Sequence, residues 1–272
     1  MQIGIFAKTF PGTEPFGVLS AVRDSGYACA QFNLACCGLP SMPDAVTETT
    51  LAAIRRAVEA TGISLAALSG TYNMAHPDIA VRQTGLAQLA VVIETAAALS
   101  IPLVTLCTGT RDPNDQWAHH PDNSDPSAWA DMAAEMSKAL ELAERHGVDL
   151  GIEPEQANIV TSAKDARRLI DEMGSRRLRI VLDPANLFEQ ATPEQARVIV
   201  EEAVETAAGH IALAHAKDRH ADGRFATAGQ GVVDFPDFIT RLRAAGFDGP
   251  IVTHGLSASE AHGVAAFLKR LI

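Results

Sequence analysis

The chain has 272 residues, 22 Lys and Arg against 33 Asp and Glu for a net charge of −11, and 47% apolar residues. That length and apolar content can bury a sizeable core. A mean hydropathy of +0.07, with no run near the ~20 uninterrupted apolar residues of a membrane span, excludes a disordered chain and a transmembrane one. The acidic balance offers nucleic-acid backbones and anionic membranes no general surface to hold.

Cys29, Cys36, Cys37 and Cys107 show no CxxC spacing, which argues against a zinc knuckle or a disulfide framework and for reduced, structural thiols. The start, Met1 to Lys8, has no basic region followed by a long apolar stretch and a cleavage site, so a cytoplasmic location is expected.

Short apolar runs alternate with Ala/Glu/Arg-rich periodic segments, the rhythm of an α/β protein with a parallel sheet. Gln2–Ala7 is predicted as the first strand and Pro15–Ser25 as the helix after it. Tyr27–Asn33 is the second strand, with a helix over Glu48–Thr61, and Ile63–Ser69 the third, followed by the loop Gly70–Pro77 and a helix over Asp78–Ser100. Pro102–Cys107 is the fourth strand. The non-periodic stretch Thr108–Pro126 behind it is long for a connector and has the length of a lid or binding loop.

A helix over Ser127–His146 leads to the fifth strand, Val148–Glu153. Ser162–Met173 is helical, Leu178–Leu182 the sixth strand, Pro193–Ala207 a helix, and His210–His215 the seventh strand. The helix Phe235–Ala245, the eighth strand Pro250–Thr253 and a last helix over Ser259–Leu271 complete the chain. Roughly 34 residues per strand–helix unit match the ~250 residues of a closed (β/α)8 barrel, and no linker divides residues 1–272 into domains. The first strand–helix turn carries no GxGxxG pattern, which argues against a dinucleotide-binding open sheet.

Active sites of such barrels lie at the C-terminal ends of the strands. Strand five delivers Glu153-Pro154-Glu155 there, strand six Asp183-Pro184-Ala185-Asn186, strand seven His215-Ala216-Lys217-Asp218 and strand eight Thr253-His254-Gly255. Each charged residue alone is explained as well by helix capping or solvation. Glu, Asp and His from consecutive strands instead compose an oxygen-rich divalent-metal site suited to Mn²⁺, Mg²⁺, Co²⁺ or Zn²⁺.

Ile152-Glu153-Pro154-Glu155 with Asn158, Leu182-Asp183-Pro184-Ala185-Asn186-Leu187, His215-Ala216-Lys217-Asp218 and Gly229-Gln230-Gly231-Val232-Val233-Asp234-Phe235 together resemble the sugar phosphate isomerase/epimerase family of xylose-isomerase-like TIM barrels. The resemblance covers nearly the whole chain and specifies the family better than the substrate. It implies a divalent metal held by Glu153, Asp183 and His215, and proton abstraction next to a carbonyl of a small sugar, sugar phosphate or cyclitol. Glu153 is then both ligand and base, with His254 and Lys217 as further catalytic groups. Asn186, Glu155, His76, Arg111, Trp117 and His120 are the expected substrate contacts: an arginine can clamp an anion and a tryptophan can stack on a sugar face.

The resemblance fails at the end of strand eight, where many members carry a glutamate and this chain has Thr253. Three accounts stay open: His254 substitutes, the metal keeps three protein ligands and water, or the metal chemistry is lost. If Thr253 faces the barrel axis, strand alternation turns His254 away, yet alternation fails at strand ends, and His254 is expected in the pocket. The alternatives to an isomerase or epimerase are a dehydratase or lyase of the same barrel family, and a non-catalytic sugar-binding barrel with a degenerate metal site. An abasic-site endonuclease would need a basic DNA groove that the charge does not supply. The expected partner is a small carbohydrate rather than nucleic acid or membrane, and the Ala-rich outer helices are compatible with a homo-oligomer.

Overall fold

The computed structural model describes residues Met1–Ile272. Eight short parallel strands close into a barrel: β1 (Gln2–Phe6), β2 (Cys29–Phe32), β3 (Ser64–Ser69), β4 (Leu103–Leu106), β5 (Asp149–Ile152), β6 (Leu178–Leu182), β7 (Ile211–Ala216) and β10 (Pro250–Thr253), with β10 pairing back to β1. The helices α1 (Pro15–Asp24), α2 (Glu48–Thr61), α3 (Ile79–Ala98), α4 (Pro126–His146), α5 (Ala163–Met173), α6 (Pro193–Ala207), α7 (Phe235–Ala244) and α8 (Ala261–Lys269) follow the barrel strands in turn. The protein is therefore a single (β/α)8 TIM barrel, as the strand–helix rhythm predicts. No helix is long and apolar enough to cross a membrane.

Local chemistry sets the helix limits. The Thr47, Asp125 and Ser162 side chains accept the first free N–H groups of α2, α4 and α5, and Thr192 forms a reciprocal capping box with Gln195 on α6. α4 and α5 stop where Gly147 (φ 71°) and Gly174 (φ 64°) turn left-handed, a conformation costly for residues with a Cβ.

Between strands and helices lies the main apolar core, which includes Ile5, Phe32, Leu68, Ile93, Ile180 and Phe238. A second, separate cluster of Ala67, Leu103, Val181, Leu213 and Val252 fills the inside of the barrel. The division follows from the pleat, because successive residues of a strand point alternately to the helices and to the axis. Gly151 belongs to the inner layer: a Cβ there would come within 2.7 Å of Val181 Cγ2, so only glycine leaves Val181 its place.

A two-stranded antiparallel hairpin, β8 (Asp218–Arg219) with β9 (Phe225–Ala226), was not predicted and extends the end of β7 over the barrel mouth. Strands of two residues are too short to show periodicity, and Asp222-Gly223 at the turn is the only local sign of it. Asp218 anchors the segment that follows: its buried carboxylate accepts N–H groups from Arg219, Gly229, Gly231 and Val233 at 2.8–3.1 Å. It thus organises the Gly229–Phe235 turn rather than pairing with Lys217.

Candidate active site

The inner apolar layer places the site. Two residues further along the same strands, the next inward positions are Ser69, Thr105, Glu153, Asp183, His215 and His254, so one pleat step converts an apolar floor into a polar layer at the C-terminal mouth. Glu153, Asp183, His215 and His254 bring one ligand atom each to within 4.8 Å of one another. His215 Nδ1 lies 3.1 Å from Glu153 Oε1 and 3.7 Å from Asp183 Oδ2, and His254 Nε2 lies 2.9 Å from Asp183 Oδ2. The two imidazole rings are 4.4 Å apart between centroids.

The same alternation decides between Thr253 and His254 at the end of β10. Val252 faces the axis, Thr253 is fully buried on the outer side beside Tyr27, and His254 faces inward. At the end of β10 it is thus His254, and not Thr253, that reaches the cluster. Glu153, Asp183 and His215 are thereby joined by a fourth group able to hold a metal ion, His254.

Two carboxylates and two imidazoles in one buried cluster control each other's charge. Burial would raise the Asp183 carboxyl, but hydrogen bonds from the His215 and His254 rings hold it well below the usual carboxylate range. Burial would likewise depress His215, but the Glu153 charge, with Asp183 behind it, pushes it up to about 9. Burial and the neighbouring His215 lower His254. In the ion-free protein a proton on His215 therefore supplies the positive charge that the carboxylates require.

This arrangement has a measurable consequence. The folded-state value of His215 lies above its unfolded value of 6.5, so its stabilising contribution is complete below pH 6.5 and is lost as pH rises through about 9. Ion-free protein should melt lower at pH 9.5 than at pH 6.5, by on the order of 5 °C. A melting temperature independent of pH across that window would show that His215 carries no proton in the folded cluster.

The donor set fits a divalent cation. Two anionic oxygens balance its charge, two imidazole nitrogens complete four ligands, and the fully buried Asp183 has no other cationic group bonded to it than the two rings. Glu153 and His254 keep some exposure, with side chains 19% and 22% accessible, and thus form the solvent side of the cluster.

Other expected residues adjoin it. Asn186 Nδ2 donates to Glu153 Oε1 at 2.8 Å, and Lys217 Nζ donates to Asn186 Oδ1 at 3.0 Å while lying 3.5 Å from the centre of the Phe225 ring. Glu155 stands on the same side: burial and then the Glu153 charge push its carboxyl up to about 7, against the pull of Lys217. Arg219, which sequence reasoning passed over, is buried beside them, with its guanidinium held by the Ala185, Glu189 and Gly223 carbonyls and stacked on Phe225.

Four expected substrate contacts are placed differently. The Arg111 guanidinium is tied to Asp131 at 2.8 Å and to the Ala75 carbonyl, so it fastens the fourth loop to α4 and is not free to clamp an anion. His120 accepts the Asp122 N–H and caps a short 3-10 turn, Pro121–Ser124. The His76 ring bonds the backbone of Asp78 and Pro113. His76 and the half-exposed Trp117 line a cavity of about 730 Å³, which lies between α3 and the fourth loop and contains none of the four cluster residues.

Gln31 is a further residue that sequence reasoning missed. It is buried on β2 and reaches His215 from the opposite side of the barrel mouth, with Oε1 2.9 Å from His215 Nε2. A lone glutamine in a short apolar run was the available signal.

The chain belongs to the xylose isomerase-like TIM barrel family, whose family model matches residues 19–269. Among solved structures it is similar to apo 3-keto-D-glucoside 4-epimerase, YcjR, from E. coli, at 18% identity over 99% of each chain with a TM-score of 0.78. It is also similar to an L-ribulose 3-epimerase, at 20% identity over 99% of this chain and 93% of that one, TM-score 0.78. A D-allulose 3-epimerase from Methylomonas sp. matches at 15% identity over 100% and 98%, TM-score 0.78. At these identities the likeness is one of fold. No curated protein matches the chain in sequence.

Proposed function

We propose that the protein is a metal-dependent sugar isomerase or epimerase that moves a proton on and off a carbon next to a carbonyl. The observation that carries this reading is the convergence of Glu153, Asp183, His215 and His254, with ligand atoms within 4.8 Å, at the catalytic mouth of the barrel. The sugar epimerases among its fold neighbours support a small carbohydrate as the substrate.

A divalent cation bound by these four residues would supply Lewis-acid polarisation of the substrate carbonyl and so acidify the adjacent C–H. Glu153 is the base: its carboxylate is partly open to solvent, and Asn186 and His215 both bond Oε1 while Oε2 has no hydrogen-bond partner. Lys217 holds Asn186 from behind and is the second proton carrier of the mouth, one pleat step beyond His215. Return of the proton from Glu153 to the neighbouring carbon gives isomerisation; epimerisation needs a second acid that delivers a proton to the opposite face of the same carbon. Glu155 beside Lys217, and Phe225 above it, line the approach and are assigned to substrate contact. His254 is assigned to the ligand set, because its Nε2 converges on Asp183 Oδ2.

The test is solvent exchange. Protein loaded separately with Mn²⁺, Co²⁺ and Zn²⁺ is incubated in D₂O with free ketopentoses, ketohexoses and their phosphates, and loss of the C–H signal beside the carbonyl is followed by NMR. Deuterium should enter at least one ketose at a rate proportional to the bound ion. Stoichiometrically loaded protein that exchanges no proton in any of them would remove the reading.

A further inference from the structure

We propose that Gln31 is a positioning residue of the metal centre: it holds the His215 ring with its proton on Nε2 and thereby presents Nδ1 to the ion. The inference rests on the metal-site reading above and concerns the half of the polar layer that carries no ligand. There, β2, β3 and β4 contribute Gln31, Ser69 and Thr105, all buried.

Gln31 Nε2 lies 3.2 Å from both Ser69 Oγ and Thr105 Oγ1. A primary amide has two N–H donors on one side and one carbonyl acceptor on the other. With both donors directed at the two hydroxyl oxygens, the carbonyl is left for His215 Nε2, 2.9 Å away. That nitrogen must then carry hydrogen. His215 Nδ1, on the other edge of the ring, is directed at Glu153 Oε1 and Asp183 Oδ2, where the ion's other ligands are. An imidazole that keeps its proton on Nε2 has its lone pair on Nδ1, so the ring is oriented for coordination before any ion arrives. The proton on Nε2 is the same whether Nδ1 is protonated or donates to a cation, and the ring need not turn over on binding.

The chemical type of the acceptor also matters. Gln31 is neutral, so Glu153 and Asp183 alone balance the two charges of the ion. A carboxylate at position 31 would add a third negative charge behind the ring and make the ligand more basic. Gln31, Ser69 and Thr105 lie on three neighbouring strands of the barrel and none is in a loop, so the amide is held by the rigid part of the fold.

Zn²⁺ is the probe, with affinity measured by competition against a chromogenic chelator. Gln31→Leu should lower Zn²⁺ affinity about 10–100-fold, the range found when an outer partner of a ligating histidine is lost. Gln31→Glu, which restores an acceptor, should keep wild-type affinity or exceed it. In Zn²⁺-loaded, ¹⁵N-histidine-labelled wild type, long-range ¹H–¹⁵N spectra should show His215 with hydrogen on Nε2 and the ion on Nδ1. Unchanged affinity in Gln31→Leu overturns the inference, as does a spectrum with hydrogen on Nδ1. Equal losses in Gln31→Leu and Gln31→Glu would show a packing role and also overturn it. Should Gln31→Leu fail to fold, the wild-type spectrum decides. Failure of the metal site itself is distinguishable, because wild-type protein would then bind no Zn²⁺ at all.

Discussion

Glu153→Gln is expected to reduce proton exchange by about a thousandfold or more while leaving the fold intact. The change is isosteric, and an amide oxygen can still accept from Asn186 Nδ2, so the packing around a side chain that is 19% accessible has little reason to alter. What disappears is the anionic oxygen that takes the proton, and general-base catalysis alone accounts for roughly 10²–10⁴ in rate. Loss of the charge also weakens ion binding, so exchange must be measured at ion saturation, with a far-UV spectrum and a melt as controls. Wild-type exchange in a saturated, folded Glu153→Gln protein would move the base elsewhere, with Glu155 the next candidate. The variant should also lose much of the alkaline dependence of ion-free stability, since the Glu153 charge is the first of the groups that raise His215.

The second large effect concerns His254. With two nitrogen and two oxygen donors, the site is expected to bind Co²⁺ and Zn²⁺ more tightly than Mn²⁺, and Mn²⁺ more tightly than Mg²⁺, because imidazole favours the later ions while Mg²⁺ and Mn²⁺ favour oxygen. Most sites share that order to some degree, so the informative comparison is with variants. His254→Ala should cost at least about tenfold in Zn²⁺ affinity, since loss of an outer partner already costs that much. His254→Glu should narrow the gap between Zn²⁺ and Mn²⁺ by adding a third carboxylate. Isothermal titration with each ion reads both. Affinity unchanged in His254→Ala would leave three protein ligands and give His254 the role of a substrate or proton contact.

The two predictions separate the functions that the cluster combines. Glu153 is read by chemistry at saturating ion and His254 by affinity. A result in which both variants only weaken binding would describe a site that holds an ion without using Glu153 as a base.

Strand and helix order was legible in the sequence because each element repeats a local pattern. The run from Leu178 to Leu182 is short and apolar but for Arg179, α6 starts at a Thr-Pro cap, and α4 ends at Gly147. The β8–β9 hairpin escaped because two-residue strands have no period to detect. Misplacement in the fourth loop has a different cause. Arg111, His120 and Trp117 have the right chemistry for a sugar, but whether a loop side chain turns to the mouth or to a neighbouring helix depends on partners such as Asp131, 20 residues away in sequence on α4.

By itself the sequence determined the barrel class and the residue types at the ends of strands five to seven, because both follow from interactions within about ten neighbouring residues. Tertiary structure alone decided which residue of strand eight enters the site. Thr253 and His254 are adjacent, and pattern reasoning cannot tell inward from outward without a reference for the pleat. Packing supplies the reference: Val252 is locked among Ala67, Leu103, Val181 and Leu213 on the axis, so the next inward side chain is His254. Gln31 became part of the site for the same reason, since closure of the barrel through β10 and β1 brings a residue 184 positions away against His215.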